Sequence, residues 1–593
     1  MTEQEQFDGV DWAGLAHAYG SAEDVPELLR AMEDPDEDVR DEALDELVSS
    51  LCHQGTVYPG TAPAVPRLGR LALHGPGHRQ QLLWLLGGIA DGSGTRADTE
   101  AARRAIAEVL PSLLGLVTDE DPGVRQAMVW LIASCGEGAL PLMPLLRARL
   151  ESERNADVRA DVVTALGLLD VSEAARTKRG RALLSGPGPE VRLAAATDLL
   201  RTAEVPFPAQ LVECALEAYE ARPTALHRGP WPEHYRPLDE RLLDDPDAAL
   251  RAVARGVPLA QRIIDTWRDR ERDVLPWLVK DAEHAYQLYA IARAGAALEG
   301  GDPAPWLIPF LESPDRGLRA AAAVAAVRLR VPDAIGRVLA LMDELPEDSG
   351  TAHAVLAAVE VFGAEARPVA ARAAERPRGE WAAALAHFPD LAARCLGELI
   401  GCVPDSAVAL AALGRDAGPA AERALLAAAH EGSAAAAFAY ARVTGDHSVA
   451  VELVRSELNG DRPLWWLLDA GRLGPAGAEL VPLLERRLPS PSRDTRAAAA
   501  AAIWRITGRT TDTLAPPADQ LARSEGFYQL EMESLRALTE MGRLPRHARP
   551  AVERLALSPR RIAAAGPFDD GTPHPDDEAR ALARKLLATA PAE

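Results

Sequence analysis

The sequence predicts an all-α protein whose helical hairpins stack into an α-solenoid. Apolar residues recur at the i, i+3, i+4, i+7 spacing of a helix face, in segments of about 12–16 residues broken by Gly, Pro and Asp. Period-two stretches rich in Val, Ile, Thr and Tyr, which are typical of strands, are nearly absent. A short turn-plus-helix motif also returns at intervals of 39, 46, 34 and 33 residues, which is the size of one helical hairpin.

The repeated motif joins a turn containing Pro, Asp or Asn to a helix with an arginine near its start. Two clear copies are EDPGVRQAMVWLIASCG and RNADVRADVVTALGLL. Alignment of the motif in the N-terminal part of the chain gives five equivalent arginines: Arg40, Arg79, Arg125, Arg159 and Arg192. Less regular copies surround four more: Arg251, Arg319, Arg496 and Arg580.

The chemistry of one copy explains why it begins a helix. Asp121 can accept hydrogen bonds from the free N–H groups of the first turn, and Pro122 has no N–H for that turn to leave unpaired. One apolar stripe follows, formed by Val124, Ala127, Met128, Leu131, Ile132 and Cys135. Because a single hairpin cannot bury so much apolar surface, neighbouring hairpins must stack.

This pattern resembles HEAT-type repeats, in particular the short bacterial form called PBS-lyase HEAT-like repeats. The match extends over residues 21–205 and returns near 480–510. The resemblance implies a right-handed superhelix, and it implies a ladder in which the turn Asp and the following Arg pair between successive repeats. The residues assigned to this ladder are Asp34, Arg40, Arg79, Asp121, Arg125, Asp157, Arg159 and Arg192.

Departures from the repeat divide the chain into five segments. Residues 1–20 form an acidic N-terminal segment or cap, and residues 21–222 form a first HEAT-like array. Residues 223–256 are expected to be an irregular junction, because they are rich in proline, which disrupts the interior of a helix. An Ala-rich HEAT-like array follows over 257–510, and residues 511–593 comprise the last helices and a cap.

Composition and charge exclude several classes of partner. The 593 residues have a net charge of −24, and the first 50 residues alone hold sixteen Asp and Glu against two Arg. Phosphate backbones and anionic membranes require clustered cationic surface, so neither nucleic acid nor a membrane is an expected partner. The acidic head is either a solvated end of the array or a docking surface for a basic protein.

The cysteines and the N-terminal sequence predict a cytoplasmic protein. Five scattered cysteines are too few for a disulfide framework. The first residues lack the basic and apolar regions of a signal peptide, and no apolar run is long enough to span a membrane. We expect a monomer in preference to an oligomer.

No catalytic residue, metal site or cofactor is predicted. The sequence contains no Walker A, GxGxxG, GxSxG, HExxH or CxxC motif. Cys52-His53 and the pair His74 and His78 raise the alternative of a zinc site. The Gly-Pro-Gly between the two histidines breaks the helix that would bring them together, and a partly buried imidazole at position 78 is the favoured interpretation.

Candidate partner-binding residues fall into three groups. The first group is acidic: Asp34, Asp36, Glu37, Asp38 and Asp41. The second is His53, Gln54 and Tyr58, in a segment that is either a specialised link between helices or a set of polar groups beside a groove. The third is Trp84 and Trp130, each five residues after an aligned arginine. Stacked repeats would place these two indoles side by side, either as packing between repeats or as a binding strip.

The leading functional hypothesis is a non-catalytic scaffold that binds a protein partner, possibly basic, through its concave face, its acidic end or both. An immunity-type inhibitor of a basic toxin is one form of this hypothesis. The alternative is a HEAT-like enzyme: the resemblance implies a bilin lyase or isomerase, and some HEAT-like proteins are DNA glycosylases. That resemblance concerns the shape of the repeat and points to no catalytic residue.

Overall fold

The protein folds into two compact units, Met1–Leu259 and Ala260–Glu593. The computed structural model describes residues 9–186, 188–221, 231–232, 234–280, 282–296, 304–346, 348–460, 463–524, 526–563 and 574–590. Each unit is an α-solenoid array of helices packed on their neighbours in the chain, so the predicted fold class is confirmed.

The first unit contains α1 (Val25–Ala31), α2 (Glu37–Leu51), α3 (Thr61–His74), α4 (Arg79–Asp91), α5 (Arg96–Leu113), α6 (Pro122–Ser134), α7 (Met143–Ser152), α8 (Ala156–Leu169), α9 (Glu173–Leu184), α10 (Pro189–Thr202), α11 (Ala209–Ala221), α12 (Leu238–Leu242) and α13 (Pro246–Ala254). Short 3₁₀ helices occupy Trp12–Gly14, Leu114–Thr118 and Gly136–Leu142. Two antiparallel hairpins of two-residue strands lie near the N-terminus: β1 (Ala16–His17) with β2 (Gly20–Ser21), and β3 (Cys52–His53) with β4 (Thr56–Val57).

Alternate helices of the first unit pack side by side. α4 contacts α6, α6 contacts α8 and α8 contacts α10, while α3 contacts both α4 and α5. Five residues of the stripe predicted for α6 are buried, with exposures of at most 4% for Val124, Ala127, Met128, Leu131 and Ile132. The sixth, Cys135, follows the end of the helix and is half-buried. These side chains belong to one hydrophobic core that extends from Trp12 to Leu169, as stacking of hairpins requires.

The residue four positions before an aligned arginine caps the helix. Asp121 accepts a hydrogen bond from Gly123 N, and Asn155 accepts one each from Asp157 N and Val158 N. The caps satisfy N–H groups that have no partner within the helix. The predicted role of Asp121 is confirmed, whereas Asp157 lies inside the first turn of α8 and Asn155 is its cap.

Five of the nine aligned arginines donate to the backbone of their own turn. Arg40 Nη1 donates to the carbonyl oxygens of Asp34 and Pro35 at 2.7 and 3.0 Å, and Arg125 Nη1 donates to the equivalent carbonyls six and five residues earlier. Arg192, Arg319 and Arg496 repeat the bond to the carbonyl six residues earlier. The guanidinium thus satisfies carbonyls that the turn leaves free.

The ladder between repeats uses other acids than the resemblance implied. Arg125 does not pair with Asp157 but donates from Nε and Nη2 to the Glu153 carboxylate at 2.9 and 3.0 Å. Burial opposes ionisation of Glu153, but the hydrogen bonds from Arg125 and from Asn155 N lower its pKa overall. Because its side chain is 1% exposed, this carboxylate needs those partners.

Arg79 is out of register with the other aligned arginines. It is the first residue of α4, whereas Arg40 and Arg125 are the fourth residues of their helices. The alignment is therefore wrong by three residues here, because His78, at φ 55°, ends the turn without a side-chain cap. Arg79 Nη1 nevertheless joins neighbouring repeats through Asp119 Oδ2 at 3.0 Å.

Part of the expected irregular junction, 223–256, is helical. Its residues 223–230 and 233 lie outside the described residues, but α12 and α13 fall within it. Pro237 precedes α12 and Pro246 opens α13, positions where a missing N–H breaks no helical bond. Arg241 fixes this segment to the end of α10 through bonds to the carbonyls of Leu200 and Ala203.

The second unit contains α14 (Ala260–Thr266), α15 (Glu271–Lys280), α16 (Ala285–Ala296), α17 (Ala304–Leu311), α18 (Arg316–Arg328), α19 (Ala334–Glu344), α20 (Ser349–Phe362), α21 (Arg367–Glu375), α22 (Gly379–Ala384), α23 (Pro389–Arg394), α24 (Leu396–Gly401), α25 (Ala407–Leu413), α26 (Gly418–His430), α27 (Ala434–Thr444), α28 (Ser448–Leu458), α29 (Pro463–Arg472), α30 (Val481–Glu485), α31 (Arg493–Thr507), α32 (Ala515–Arg523), α33 (Gln529–Met541), α34 (Arg549–Leu557) and α35 (Pro575–Thr589). Short 3₁₀ helices occupy Gly363–Ala366, Leu385–His387, Gly414–Ala417 and Gly474–Leu480.

Alanine allows the helices of the second unit to approach closely. The whole segment Ala320–Val327 of α18 is buried between α16 and α20, and Ala497–Ile503 of α31 is buried between α29 and α33. α20 and α27 are two further Ala-rich helices of this array. Their apolar faces are buried although they lack the arginine near the helix start that marks the repeated motif.

The last helices of the second unit return to its first helices. Arg561 N donates to Thr266 O at 2.8 Å, and Arg268 N donates to Pro559 O at 2.9 Å. Asp576, in the first turn of α35, is fully buried and accepts bonds of 2.6 and 3.0 Å from the Arg268 guanidinium. The start of the last helix is therefore an internal contact and not the solvated cap that its charged sequence indicated.

No single described helix is both long and apolar enough to cross a membrane. The segments Pro122–Ser134 and Gly136–Ser152 meet that test of length and composition only when they are taken together, and they are bent by 119° at the break between them.

Candidate functional site

An open groove of about 780 Å³ lies at the N-terminal part of the first unit. α2 and α4 form its walls, and the β3–β4 hairpin and Trp231 contribute the remaining surface. We call it the N-terminal groove. Its lining consists of Leu44, Asp45, Val48, Cys52, Gln54, Gly55, Gln81, Trp84, Leu85, Gly88, Asp91, Gly92, Ser93 and Trp231.

Helical periodicity brings the wall residues to one face. Leu44 and Val48 are four residues apart along α2, Cys52 follows four residues later at the start of β3, and Trp84 and Gly88 are four residues apart along α4. The two walls come close at Gly88, where an added Cβ would lie 3.6 Å from Cys52 Sγ, an ordinary van der Waals contact.

The β3–β4 hairpin follows α2 directly and has a tight turn. Gln54 and Gly55 occupy its turn at φ 49° and 77°, in the left-handed region. Ser93 pairs with the free edge of β4: Val57 N donates to Ser93 O, and Ser93 N donates to Gly55 O, both at 2.8 Å. The hairpin thus has no free edge on this side, and it presents Gln54 to the groove.

A short link connects the hairpin to α3. α2 ends at Leu51, and Gly55 lies in the hairpin turn. Thr61 is the first residue of α3. Its hydroxyl, which is buried, donates to Leu51 O at 2.7 Å and accepts from Tyr58 N at 2.9 Å. This link joins the hairpin to both flanking helices.

Four aromatic rings form a continuous cluster next to the groove. The ring centroids of Trp84 and Trp130 are 5.3 Å apart, so the predicted side-by-side placement is confirmed. Trp231 packs edge-on against Trp130 at 5.7 Å, and Tyr235 lies 5.4 Å from Trp231. Trp130 is 1% exposed, which means that it packs between repeats and cannot contact a partner. Trp84 and Trp231 are half-buried and present indole surface to the groove.

The outer face of α2 is a row of carboxylates beside the groove. The helix has six acids against the single base Arg40, and all six acids are exposed: Glu37, Asp38, Asp41, Glu42, Asp45 and Glu46. Within the described ranges, only Asp41 of this row has an ion-pair partner, His78 Nδ1 at 3.5 Å. The remaining charges face solvent and create a negative potential along one wall of the groove.

The thiol of Cys52 in the groove is not a reactive thiolate. Burial, reinforced by the Asp91 carboxylate, raises the pKa of the Cys52 thiol to about 11, so it stays protonated at neutral pH. His53 Nδ1 and the Tyr19 hydroxyl share a hydrogen bond of 3.1 Å at the surface. Among the described residues, no three His, Cys, Asp or Glu side chains are grouped so that they can hold a metal ion.

The structure brings together only some of the predicted binding residues. Gln54 and Trp84 line the groove, and Asp41 lies one helical turn before Asp45 on the same face of α2. The backbone N–H of Tyr58 binds Thr61, and Tyr58 is not part of the lining. The other acids stand at the start of α2, where Asp36 caps the helix and Asp34 accepts from Arg40 and from Asp36 N.

Sequence reasoning missed most of the lining. Asp45 and Val48 stand four and seven residues after Asp41, so the helical spacing that identified the core also identifies them. Gln81 stands three residues before Trp84 and four before Leu85, so helical spacing relates it to both. No sequence signal places Trp231, about 150 residues away in the chain, beside Trp84.

Two other cavities lie in the first unit. One, of about 440 Å³, lies between the ends of α4 and α6 and one face of α5, and Arg103 and Cys135 line it. Burial raises the pKa of the Cys135 thiol to about 12. The second has room for about 50 Å³ only and lies beneath Tyr235 and Trp231, among polar residues of α6, α8 and α10. Neither approaches the N-terminal groove in volume.

Comparisons with known proteins add only a broad likeness. No family model matches the chain, and no curated protein matches it. Solved structures that are similar include yeast importin-beta, Kap95p, at 12% identity and a TM-score of 0.38, with 95% of this chain and 87% of that chain covered. A structure of the Kap95:Nup1 complex gives 12% identity and a TM-score of 0.37 over 99% of this chain and 87% of that one. Kap121p bound to Pho4p gives 12% and 0.36 over 95% and 78%.

Proposed function

We propose that the protein is a non-catalytic scaffold that captures a basic protein partner with the N-terminal groove and the acidic face of α2. One observation supports this most strongly: an apolar groove of about 780 Å³ with half-buried indoles lies directly beside a row of six exposed carboxylates, of which only Asp41 has a partner, His78, among the described residues. Apolar anchors with a charged rim are the usual anatomy of a protein-binding surface.

The charge pattern defines the partner. Unpaired carboxylates on α2 attract a positively charged surface and speed its encounter with the groove, while they repel an acidic one. Capture of a basic toxin by an immunity-type inhibitor would use this chemistry, and the identity of the captured protein distinguishes that role from general scaffolding. As part of the same proposal, the protein acts in the cytoplasm as a monomer.

Affinity capture with mass spectrometry tests the proposal. The wild-type chain and the double variant Asp41→Lys/Asp45→Lys are used as bait in lysate of the native cell. We expect a basic protein to be retained by the wild type and lost from the variant, since the reversal changes the net charge of the groove wall by +4.

A matched double reversal provides the control. Glu398→Lys/Glu431→Lys changes the net charge equally at two exposed positions of the second unit that have no ion-pair partner among the described residues. This control must retain the partner. Retention of the same proteins by all three baits, or of none by the wild type, would contradict the proposal.

A further inference from the structure

We propose that the occupant of the N-terminal groove is a basic amphipathic helix of about three turns, contributed by the partner. The inference rests on the proposed function, because it specifies which kind of protein segment the groove receives. Three properties of the groove support it: the saturated backbone of its walls, its length, and the order of its apolar and acidic residues.

The backbone of the walls offers no hydrogen bonds to a bound chain. α2 and α4 satisfy their own N–H and C=O groups, and the outer edge of β4 is already paired with Ser93. An extended peptide in this groove would leave the amides that face the apolar walls without hydrogen-bond partners. A helix satisfies its backbone internally and needs only side-chain contacts.

The length of the walls matches a short helix. The lining stripe of α2, extended to Asp41, ends at Cys52, and that of α4 runs from Gln81 to Asp91. At 1.5 Å per residue these stripes span roughly 16 and 15 Å, which is the length of about three turns. The volume of about 780 Å³ accommodates one face of such a helix and not a folded domain.

The order of the lining residues defines the pattern of the helix. Val48, Leu85 and Trp84 offer apolar surface to residues at i, i+3 or i+4, and i+7 of the partner. Asp45 and Asp41 stand on the wall above them, where they face arginine or lysine side chains that flank the apolar stripe. The half-buried indole of Trp84 also accepts the face of a guanidinium.

Gly88 provides a way to fill the groove without damaging the fold. Its position in α4 faces the groove, and an added Cβ meets Cys52 Sγ at 3.6 Å, an ordinary contact. Gly88→Ala is therefore expected to fold normally, since alanine favours a helix more than glycine does, and to leave the groove open. Gly88→Leu places a branched side chain where the helix would lie.

Binding of labelled synthetic peptides to the full chain, measured by fluorescence anisotropy, tests the inference. The probe is a 14-residue peptide with Leu at i, i+3, i+4 and i+7 and Arg beside this stripe. Its control has the same composition in an order that distributes Leu and Arg around the helix. We expect the amphipathic peptide to bind at least tenfold more tightly than the control. We also expect Gly88→Leu to weaken its binding at least tenfold, and Gly88→Ala to change it less than twofold.

The outcomes separate this inference from the proposed function. Equal affinity for the two peptides, with sensitivity only to Asp41→Lys/Asp45→Lys, would overturn the helix and leave charge-guided docking of another kind of surface. Binding that Gly88→Leu does not weaken, or no binding of the amphipathic peptide, would also overturn the helix. The proposed function fails independently of these results if the native lysate yields no partner that depends on Asp41 and Asp45.

Discussion

Replacement of Asp576 by Asn should destabilise the first helices of the second unit as well as the last one. In the folded protein, Asp576 Oδ2 accepts from Arg268 Nε at 2.6 Å, and Oδ1 accepts from Arg268 Nη2 and from the backbone N–H of Ile562 and Ala563. Asn keeps the size of the side chain but places an NH₂ group against Arg268 Nε, so that two donors face each other.

The size of the effect follows from burial. The side chains of Arg268 and Asp576 are 1% and 0% exposed, so loss of the carboxylate leaves a buried guanidinium without its counter-charge. Removal of one partner of such a pair costs about 3–5 kcal/mol, a large part of the stability of a domain. Replacement of both partners by apolar residues, as in Arg268→Met/Asp576→Leu, should restore part of the loss, since neither charge is then left buried alone.

Hydrogen exchange with mass spectrometry, combined with urea unfolding, measures this effect. We expect faster exchange both in 260–271 and in 574–590, because the pair joins these segments. Asp577→Asn is the matched control: its carboxylate binds Arg561 but is 41% exposed, and its loss should cost less than about 1 kcal/mol. An Asp576→Asn effect below about 1 kcal/mol, or faster exchange confined to α35, would refute the reasoning.

Three further predictions concern buried groups. Burial and the nearby Arg561 lower the pKa of His574 to about 3. Because the unfolded chain binds a proton below about pH 6.5 that the folded chain does not, the free energy of unfolding should fall between pH 6.5 and 4. His574→Asn keeps a cap for Asp576 N and should flatten this pH profile in urea titrations. Trp130→Ala should lower the free energy of unfolding by about 3–5 kcal/mol in the same assay. Because Trp130 is buried, the substitution should remove no contact with the partner. Arg125→Lys should cost roughly 1–3 kcal/mol, because lysine cannot reproduce the bonds to two carbonyls and to Glu153, whereas equal stability would contradict that role.

The sequence was sufficient for the helices and their stacking because periodicity determines both. Five of the six residues predicted for the stripe of α6 are buried, since a stripe that one hairpin cannot bury must meet a neighbour. Periodicity did not predict that Val129, Trp130 and Ala133 on the other faces of the helix are buried as well. The same reasoning failed at Arg79, where a Gly-Pro-Gly-His turn replaces a capped turn and shifts the register by three residues. Spacing between motifs does not report such local changes in the length of a turn.

Contacts between distant segments had no sequence signal. The pairing of Trp231 with Trp130 depends on the return of a proline-rich segment, and the pair Arg268 and Asp576 joins residues 308 positions apart. Each is explained afterwards by burial: an indole or a charge that is removed from water needs a partner. The path of the chain determines which partner it finds. At these positions the sequence does not follow the repeat, so the repeat pattern does not predict that path.

Site-specific photo-crosslinking in the native cell tests the role of the groove most directly. A benzophenone amino acid replaces Val48, which is 42% exposed within the groove, or Val408, which is 55% exposed in the second unit. We predict that position 48 crosslinks one basic protein, that position 408 does not, and that Asp41→Lys/Asp45→Lys abolishes the product. No crosslink from position 48, or the same product from both positions, would contradict a partner bound in the N-terminal groove.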